Sequence, residues 1–397
     1  MESSIWRLTI KDKTLFLYFF YDLIFGLYPI VPIMSLFFLA KSLTYGQIGI
    51  IFAVFSVSGF VFEIPTGYFG DKFGKRMSII CGLIVLSITA FVWTLLTNTL
   101  GFAIFAAVWM LGLAFISGSF EAYIYDYLKS KNIADIYDRV VATSNSITYF
   151  AGAVGSIFGA YLFSINISFP YYLLAALFLV CTFIVTGMDK DVSIDDGEFK
   201  EQLSVISGLK HVLKTPKILW ITLFVSLLYG FFSYFRGSVD KPYILDLKIF
   251  TVEWLGVFVA VSMIVQSLLM SQFAKLKNKL NESGLITLVW LMYVVGLAGM
   301  SLLNGYFALI AVTIFYSTES MYEALINSFS QKHIPSSIRA TTLSSIKIYQ
   351  NIGSAVLGLA GGVLFDIFSI RTGLMIALIY SCVVFALTKF YQNIAKI

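Results

Sequence analysis

The chain has 397 residues, of which 59% are hydrophobic and 12% charged, with a formal net charge of +5 and a mean hydropathy of +0.87. Soluble domains carry about 25% charged residues, so this composition excludes a soluble globular protein and implies one that crosses a membrane many times. Cys81, Cys181 and Cys382 each stand alone in an apolar run, and His211 and His333 are far from them and from each other, so no metal, redox or cofactor site is expected.

The opening MESSIWRLTIKDK leads into a full-length apolar run with no small-residue cleavage site, which predicts an uncleaved first helix. Runs long enough to cross a hydrocarbon core of about 30 Å then recur along the chain. The predicted spans of the first half are 14–38, 47–68, 77–97, 100–124, 141–164 and 169–187. In lipid each must be a helix, because no water is present to satisfy backbone groups. The break between spans two and three reads FEIPTGYFGDKFGKR, with Asp71, Lys72, Lys75 and Arg76 in six residues. Gly67 and Gly70 would let a neighbouring helix approach, and Gly74 would permit a tight turn. Asp71 can face the positive N-terminal end of another helix, and Lys75 can pair with Asp126 at the end of span four.

The longest polar break runs from Met188 to Thr215. In it Leu203, Ile206, Leu209 and Leu213 share one helical face, which predicts a short interfacial helix. The second half then has spans 217–238, 252–273, 285–303, 306–328, 342–365 and 371–390. Lysine and arginine crowd the segments on the same side as the termini. The other side holds only Lys41, Arg236, Lys241, Lys248 and Arg371, which places both termini in the cytoplasm. The expected organisation is an N-terminal six-helix bundle over 1–187, a cytoplasmic linker over 188–216 and a C-terminal six-helix bundle over 217–397.

The halves read as diverged copies. EAYIYD at Glu121 is echoed by EALINS at Glu323, Arg139 opens span five as Arg339 opens span eleven, and GSIFG at Gly155 is matched by GLAGG at Gly358. Parallel six-helix repeats are a transporter architecture with the site between the halves. The pattern Gly67-x-x-Gly70-Asp71-Lys72-x-Gly74-Lys75-Arg76 resembles the signature loop of the major facilitator superfamily, and the length and topology resemble that family over the whole chain. The resemblance implies an all-α polytopic fold of twelve transmembrane helices in two six-helix bundles. It also implies that Gly67, Gly70, Asp71, Lys72, Gly74, Lys75, Arg76 and Asp126 form a cytoplasmic gate closing against span eleven. Three departures stand out: the second half lacks the Gly-Asp core of the loop, span five has no proline between Gly155 and Ala160, and span four reads Trp109-Met110-Leu111-Gly112 where many proton-coupled members carry an arginine.

Ionisable groups within spans are costly and invite a role. At 1.5 Å per residue, Asp22 lies about 12 Å into span one and Glu319 about 20 Å into span ten, so both are candidate proton carriers. Glu63, Glu121 and Glu323 lie nearer the cytoplasmic ends and are read as gate or structural partners of Arg139 and Arg339. The resemblance implies that spans one, four, seven and ten line the cavity. Candidate substrate contacts are Tyr18, Phe25, Asn145, Tyr149, Tyr229, Ser233, Arg236, Tyr316, Tyr349 and Gln350, a set rich in rings and amides. With Arg236 towards the outer end, two acids and no base are expected at mid-depth.

The expected activity is alternating-access transport, by proton-coupled export of a small amphipathic compound, with proton-coupled import as the alternative. A lipid-modifying membrane enzyme would need a catalytic cluster at the interface, and the sequence has no Ser/His/Asp constellation. The expected partners are a small-molecule substrate, protons and the lipid bilayer, without nucleic acid, for a monomer in the cell membrane.

Overall fold

A computed structural model describes residue 9 and residues 12–191, 212–271, 279–280, 282–334 and 336–394. No strand occurs among them. The chain order is α1 (Lys13–Gly26), α2 (Met34–Ala40), α3 (Tyr45–Phe73), α4 (Lys75–Leu95), α5 (Thr99–Ile116), α6 (Ser119–Ser130), a 3-10 turn (Ala134–Ile136), α7 (Tyr137–Ile165) and α8 (Phe169–Thr186). It continues as α9 (Pro216–Ser238), α10 (Asp240–Asp246), α11 (Val252–Ser271), α12 (Glu282–Leu302), α13 (Gly305–His333), α14 (Ser336–Ile367) and α15 (Ile370–Ile394). Ten stretches are long and apolar enough to cross a membrane among the described residues.

The other two predicted spans are outside that set, span one because it is broken and span ten because its continuous helix is more polar. Span one is not a continuous helix. Asp12 caps α1 by accepting the Leu15 N–H at 3.0 Å, and the helix stops at Gly26. The chain then turns through Leu27–Ile33, where Pro29 and Pro32 each lack an N–H to donate, before α2 begins. Span ten coincides with α13, whose middle carries Glu319. Span four is also divided: α5 ends at Ile116, and Gly118, at φ +72°, separates it from α6. The expected interfacial helix at Leu203–Leu213 lies almost wholly outside the described residues.

The chain forms two compact units. The first comprises Met1–Phe37, Val57–Glu198 and Val252–Ala260; the second comprises Phe38–Ser56, Phe199–Thr251 and Val261–Ile397. Helices α3 and α11 therefore each contribute one end to either unit.

Packing in the first unit is aromatic. Trp93 stacks on Trp109 with centroids 5.3 Å apart, and Phe37 meets Tyr171 at 4.1 Å. Where the surrounding solvent is lipid, tight contact and interhelical hydrogen bonds replace hydrophobic burial as the main force. The backbone at Leu27–Pro29 therefore lies directly on the small-residue face of α7. A methyl at Gly155 would come 2.8 Å from the Tyr28 nitrogen, and one at Gly159 would be driven into the Pro29 carbonyl. In the second unit the Trp290 ring stacks on Phe385 at 3.9 Å, and its indole N–H donates to the Ser381 carbonyl at 3.2 Å. The Trp220 indole N–H likewise donates to the Thr388 carbonyl at 2.7 Å. Bonds of this kind between membrane helices average about 0.6 kcal/mol each.

Candidate functional site

The charged break after the second span is mostly helical, not a loop. Helix α3 continues through Pro65, Gly67, Gly70, Asp71 and Lys72 to Phe73. The turn is one residue, Gly74 at φ +97°, a conformation that a side chain would resist. Arg76 reaches across to the end of α8, where its Nε donates to the Val185 carbonyl at 3.1 Å and its Nη2 to the Thr186 carbonyl. It thereby satisfies carbonyls left without partners at that helix end. Asp191 accepts the Arg76 backbone N–H at 3.1 Å. Lys75 forms an ion pair with Asp126, the two side chains being 30% and 23% exposed. Gly70 faces Ser119, but nothing among the described residues comes within 4 Å of a methyl placed at Gly67. Asp71 is exposed.

Asp22 occupies the seam between α1 and α7 and is only 7% exposed. The Ser144 hydroxyl of α7 lies within hydrogen-bonding reach of its carboxyl and of the Tyr18 hydroxyl. Its Oδ2 is buried with no hydrogen-bond partner among the described residues. Around it Tyr18 stacks on Phe120 at 5.4 Å, and Tyr21 on Phe120 at 4.3 Å and Phe25 at 5.3 Å. On the neighbouring face of α1 a groove of about 500 Å³ opens between the two helices, lined by Phe16, Phe20, Leu23, Ile147 and Phe150 among others.

The second unit holds a different cluster. Arg236 of α9 forms an ion pair with Glu319 of α13. The guanidinium also lies 5.1 Å from the centre of the Tyr316 ring. Beyond the end of the span, Asp240 is fully buried and takes the Lys241 ammonium at 2.6 Å and the Tyr316 hydroxyl. Lys241 also donates to the Arg236 carbonyl at 2.8 Å. Burial pushes the Asp240 carboxyl up and the Lys241 ammonium down from their ordinary values, and their mutual contact opposes both shifts. The expectation of two acids without a base at mid-depth is corrected here: Glu319 has a cation, because the Arg236 side chain is long enough to reach it.

The remaining sequence candidates are dispersed. Glu63, Glu121 and Arg139 are exposed, and no ion pair joins them among the described residues. The side chains of Glu323 and Arg339 lie outside the described set. Tyr18 and Tyr316 are buried and packed, at 5% and 2% exposure, which does not suit direct contact with a solute. Tyr229 stacks on Phe232 at 6.3 Å, Ser233, Tyr349 and Gln350 are half-buried, and Asn145 and Tyr149 are exposed. Sequence reasoning missed Ser144 and Lys241. An isolated serine carries no local signal, and only the fold places it by Asp22; Lys241 is next to Asp240 in the chain, and what the fold adds is the burial of the pair.

The family model described as Major Facilitator Superfamily matches residues 14–358. Among curated proteins, the chain is 24% identical to the uncharacterized MFS-type transporter YxaM of Bacillus subtilis, over 86% of each chain. It is 23% identical to multidrug resistance protein 2 of the same organism, over 90% of each. Among solved structures, nucleoside transporter NupG superposes with a TM-score of 0.77 over 97% of this chain and 98% of its own, at 14% identity.

Proposed function

The chain belongs to the major facilitator superfamily and is a multi-pass membrane transporter, and from that premise we propose that it exports a small amphipathic compound in exchange for protons. The observation that carries this reading is the lone carboxyl of Asp22, buried in a membrane helix with an unpartnered oxygen. Ionisable groups within spans are costly to place and invite a role, and a carboxyl can carry a proton. The apolar groove on the adjacent face of α1 would suit the apolar body of such a solute. Similarity to a multidrug resistance protein supports the export direction. In this reading both termini are cytoplasmic, and Asp71 belongs to the gate that closes the cytoplasmic side.

Cells expressing the protein are expected to accumulate less of a lipophilic cationic dye such as ethidium than cells without it. A protonophore should remove the difference. Higher accumulation on expression would indicate import instead, and a protonophore-insensitive difference would sink proton coupling.

A second reading, export of an organic anion, is favoured by Arg236, which keeps 24% of its side chain exposed while paired to Glu319. A substrate carboxylate could compete for that guanidinium. With matched cationic, neutral and anionic aromatic compounds, the first reading expects binding in that order, unchanged in rank by Arg236→Gln. Anions binding best, with a loss of about tenfold or more on Arg236→Gln, would establish the second; charge-assisted hydrogen bonds are worth about 1.5–3 kcal/mol.

A further inference from the structure

We infer that Asp191 is a positioning residue for the signature turn: from the segment after α8 it supplies the cap that the first turn of α4 lacks, and so fixes the turn that carries Lys75 and Arg76. Helix α4 starts poorly by itself. Its N-cap is Gly74, which has no side chain to accept a bond, and its first turn carries Lys75 and Arg76 with no acid among them. Unsatisfied N–H groups and the positive end of the helix dipole there meet two further cations. Asp191 answers both defects from 115 residues away. Its Oδ1 and Oδ2 accept the Arg76 N–H at 3.1 and 3.3 Å, the bond that a capping side chain would make. A methyl at Gly74 would lie 2.5 Å from Asp191 Oδ2, so this carboxylate requires the glycine as much as the φ of +97° does.

The exchange is reciprocal. The Arg76 side chain closes the end of α8 through the Val185 and Thr186 carbonyls, and the chain leaving that end returns Asp191 to the start of α4. The residues between are held as well. Met188 is 3% exposed, and its N–H donates to the Val185 carbonyl at 3.2 Å. The Asp189 N–H donates to the buried Thr14 hydroxyl of α1 at 3.2 Å, and the Asp189 carbonyl accepts the Tyr123 hydroxyl of α6 at 2.8 Å. Residues 188–191, which the sequence assigns to the start of a linker, are thus bonded to α1, α4 and α6, all within the first unit. Fixing Asp189 leaves the carboxylate two residues on little freedom to depart from Arg76. Asp191 is itself exposed, so water and salt screen its charge, and the cap bond is the larger part of what it contributes.

The test uses the purified full chain in lipid nanodiscs, with Cys81, Cys181 and Cys382 replaced by alanine. Ser78→Cys, fully buried one turn into α4, reports fraying of that turn through its labelling rate with a maleimide. Asp191→Ala removes the acceptor and is expected to raise the rate roughly two- to thirtyfold, the range for loss of a helix cap. Asp191→Asn keeps an acceptor of similar capping strength and should stay within about twofold of the aspartate chain, which separates capping from a mere loss of charge. A control cysteine, Leu83→Cys, fully buried deeper in the same helix, should remain unlabelled in every variant. Equal Ser78→Cys rates with aspartate and alanine at position 191 would overturn the inference. So would asparagine behaving as alanine does, or labelling of the control in step with the reporter. Because no solute or gradient enters the measurement, its failure leaves the efflux reading standing, and failure of that reading leaves the cap standing.

Discussion

Asp22→Asn is expected to abolish transport driven by a proton gradient while leaving substrate exchange at equal concentrations measurable. Asparagine keeps the volume of the side chain and can still bond the Ser144 hydroxyl, but it cannot take or release a proton. The packing of Tyr18, Tyr21 and Phe120 around the site should therefore persist. On the proposed reading, what is lost is the proton-binding carboxyl of the seam, and asparagine offers no substitute for it. Gradient-driven accumulation in proteoliposomes should fall to the level of protein-free vesicles. If Asp22→Asn still concentrates solute with normal pH dependence, the assignment is wrong. Glu319→Gln is then the decisive variant. Its effect has a different character, because it also deprives Arg236 of its partner. A half-buried cation left alone can cost a few kcal/mol, so lowered expression alongside lowered transport is expected for that variant and not for Asp22→Asn.

The second large effect is structural. Gly159→Ala is expected to prevent most of the protein from reaching a monodisperse folded state after detergent extraction. The added methyl meets the Pro29 backbone, not a side chain that can rotate away, and the same stretch is held by Gly155 one turn earlier. Overpacking costs about 1–3 kcal/mol where side chains can give way, and more where they cannot. Values near 4 kcal/mol would consume much of the margin of an ordinary domain. The same helix supplies a control. A methyl at Gly152 would meet only the Gly26 carbonyl, at 3.7 Å, an ordinary contact. Gly152→Ala should therefore be neutral or slightly stabilising, since alanine favours the helix by about 1 kcal/mol. Size-exclusion profiles of the two variants decide the matter. Equal yields would show that the break in span one is not pinned by α7.

What could be read from the sequence was whatever is encoded over one or two helical turns or by a strong composition. Long apolar runs had to become helices because lipid leaves the backbone no other partner. The positive φ required between two adjoining spans was legible at Gly74, since only glycine adopts it without strain. The spacing from Gly67 to Arg76 was specific enough to identify the family. Local pattern also overreached. Nothing in the apolar run 14–38 shows that Leu27–Ile33 departs from a helix, because two prolines in a membrane span can also mark a mere kink. The break is tenable because Gly155 and Gly159 receive it, and they lie more than 120 residues downstream.

The parts closest to function depended on contacts between distant segments. Depth along a helix placed Arg236 and Glu319 apart, and only the pairing of α9 with α13 brought the guanidinium to the carboxylate. The two glycine motifs looked equivalent, yet Gly155 and Gly159 receive the break after α1, whereas Gly358 and Gly362 receive the start of α3. The Thr44-x-x-Gln47 box is a local cap that the sequence reading did not single out, and its second ligand, Asp366, comes from the far end of the chain. A carboxylate at the end of an apolar run looks the same whether it faces water or the terminus of another helix. Which of the two it faces is a property of tertiary packing, because the positive end it meets is formed by the backbone of a different helix.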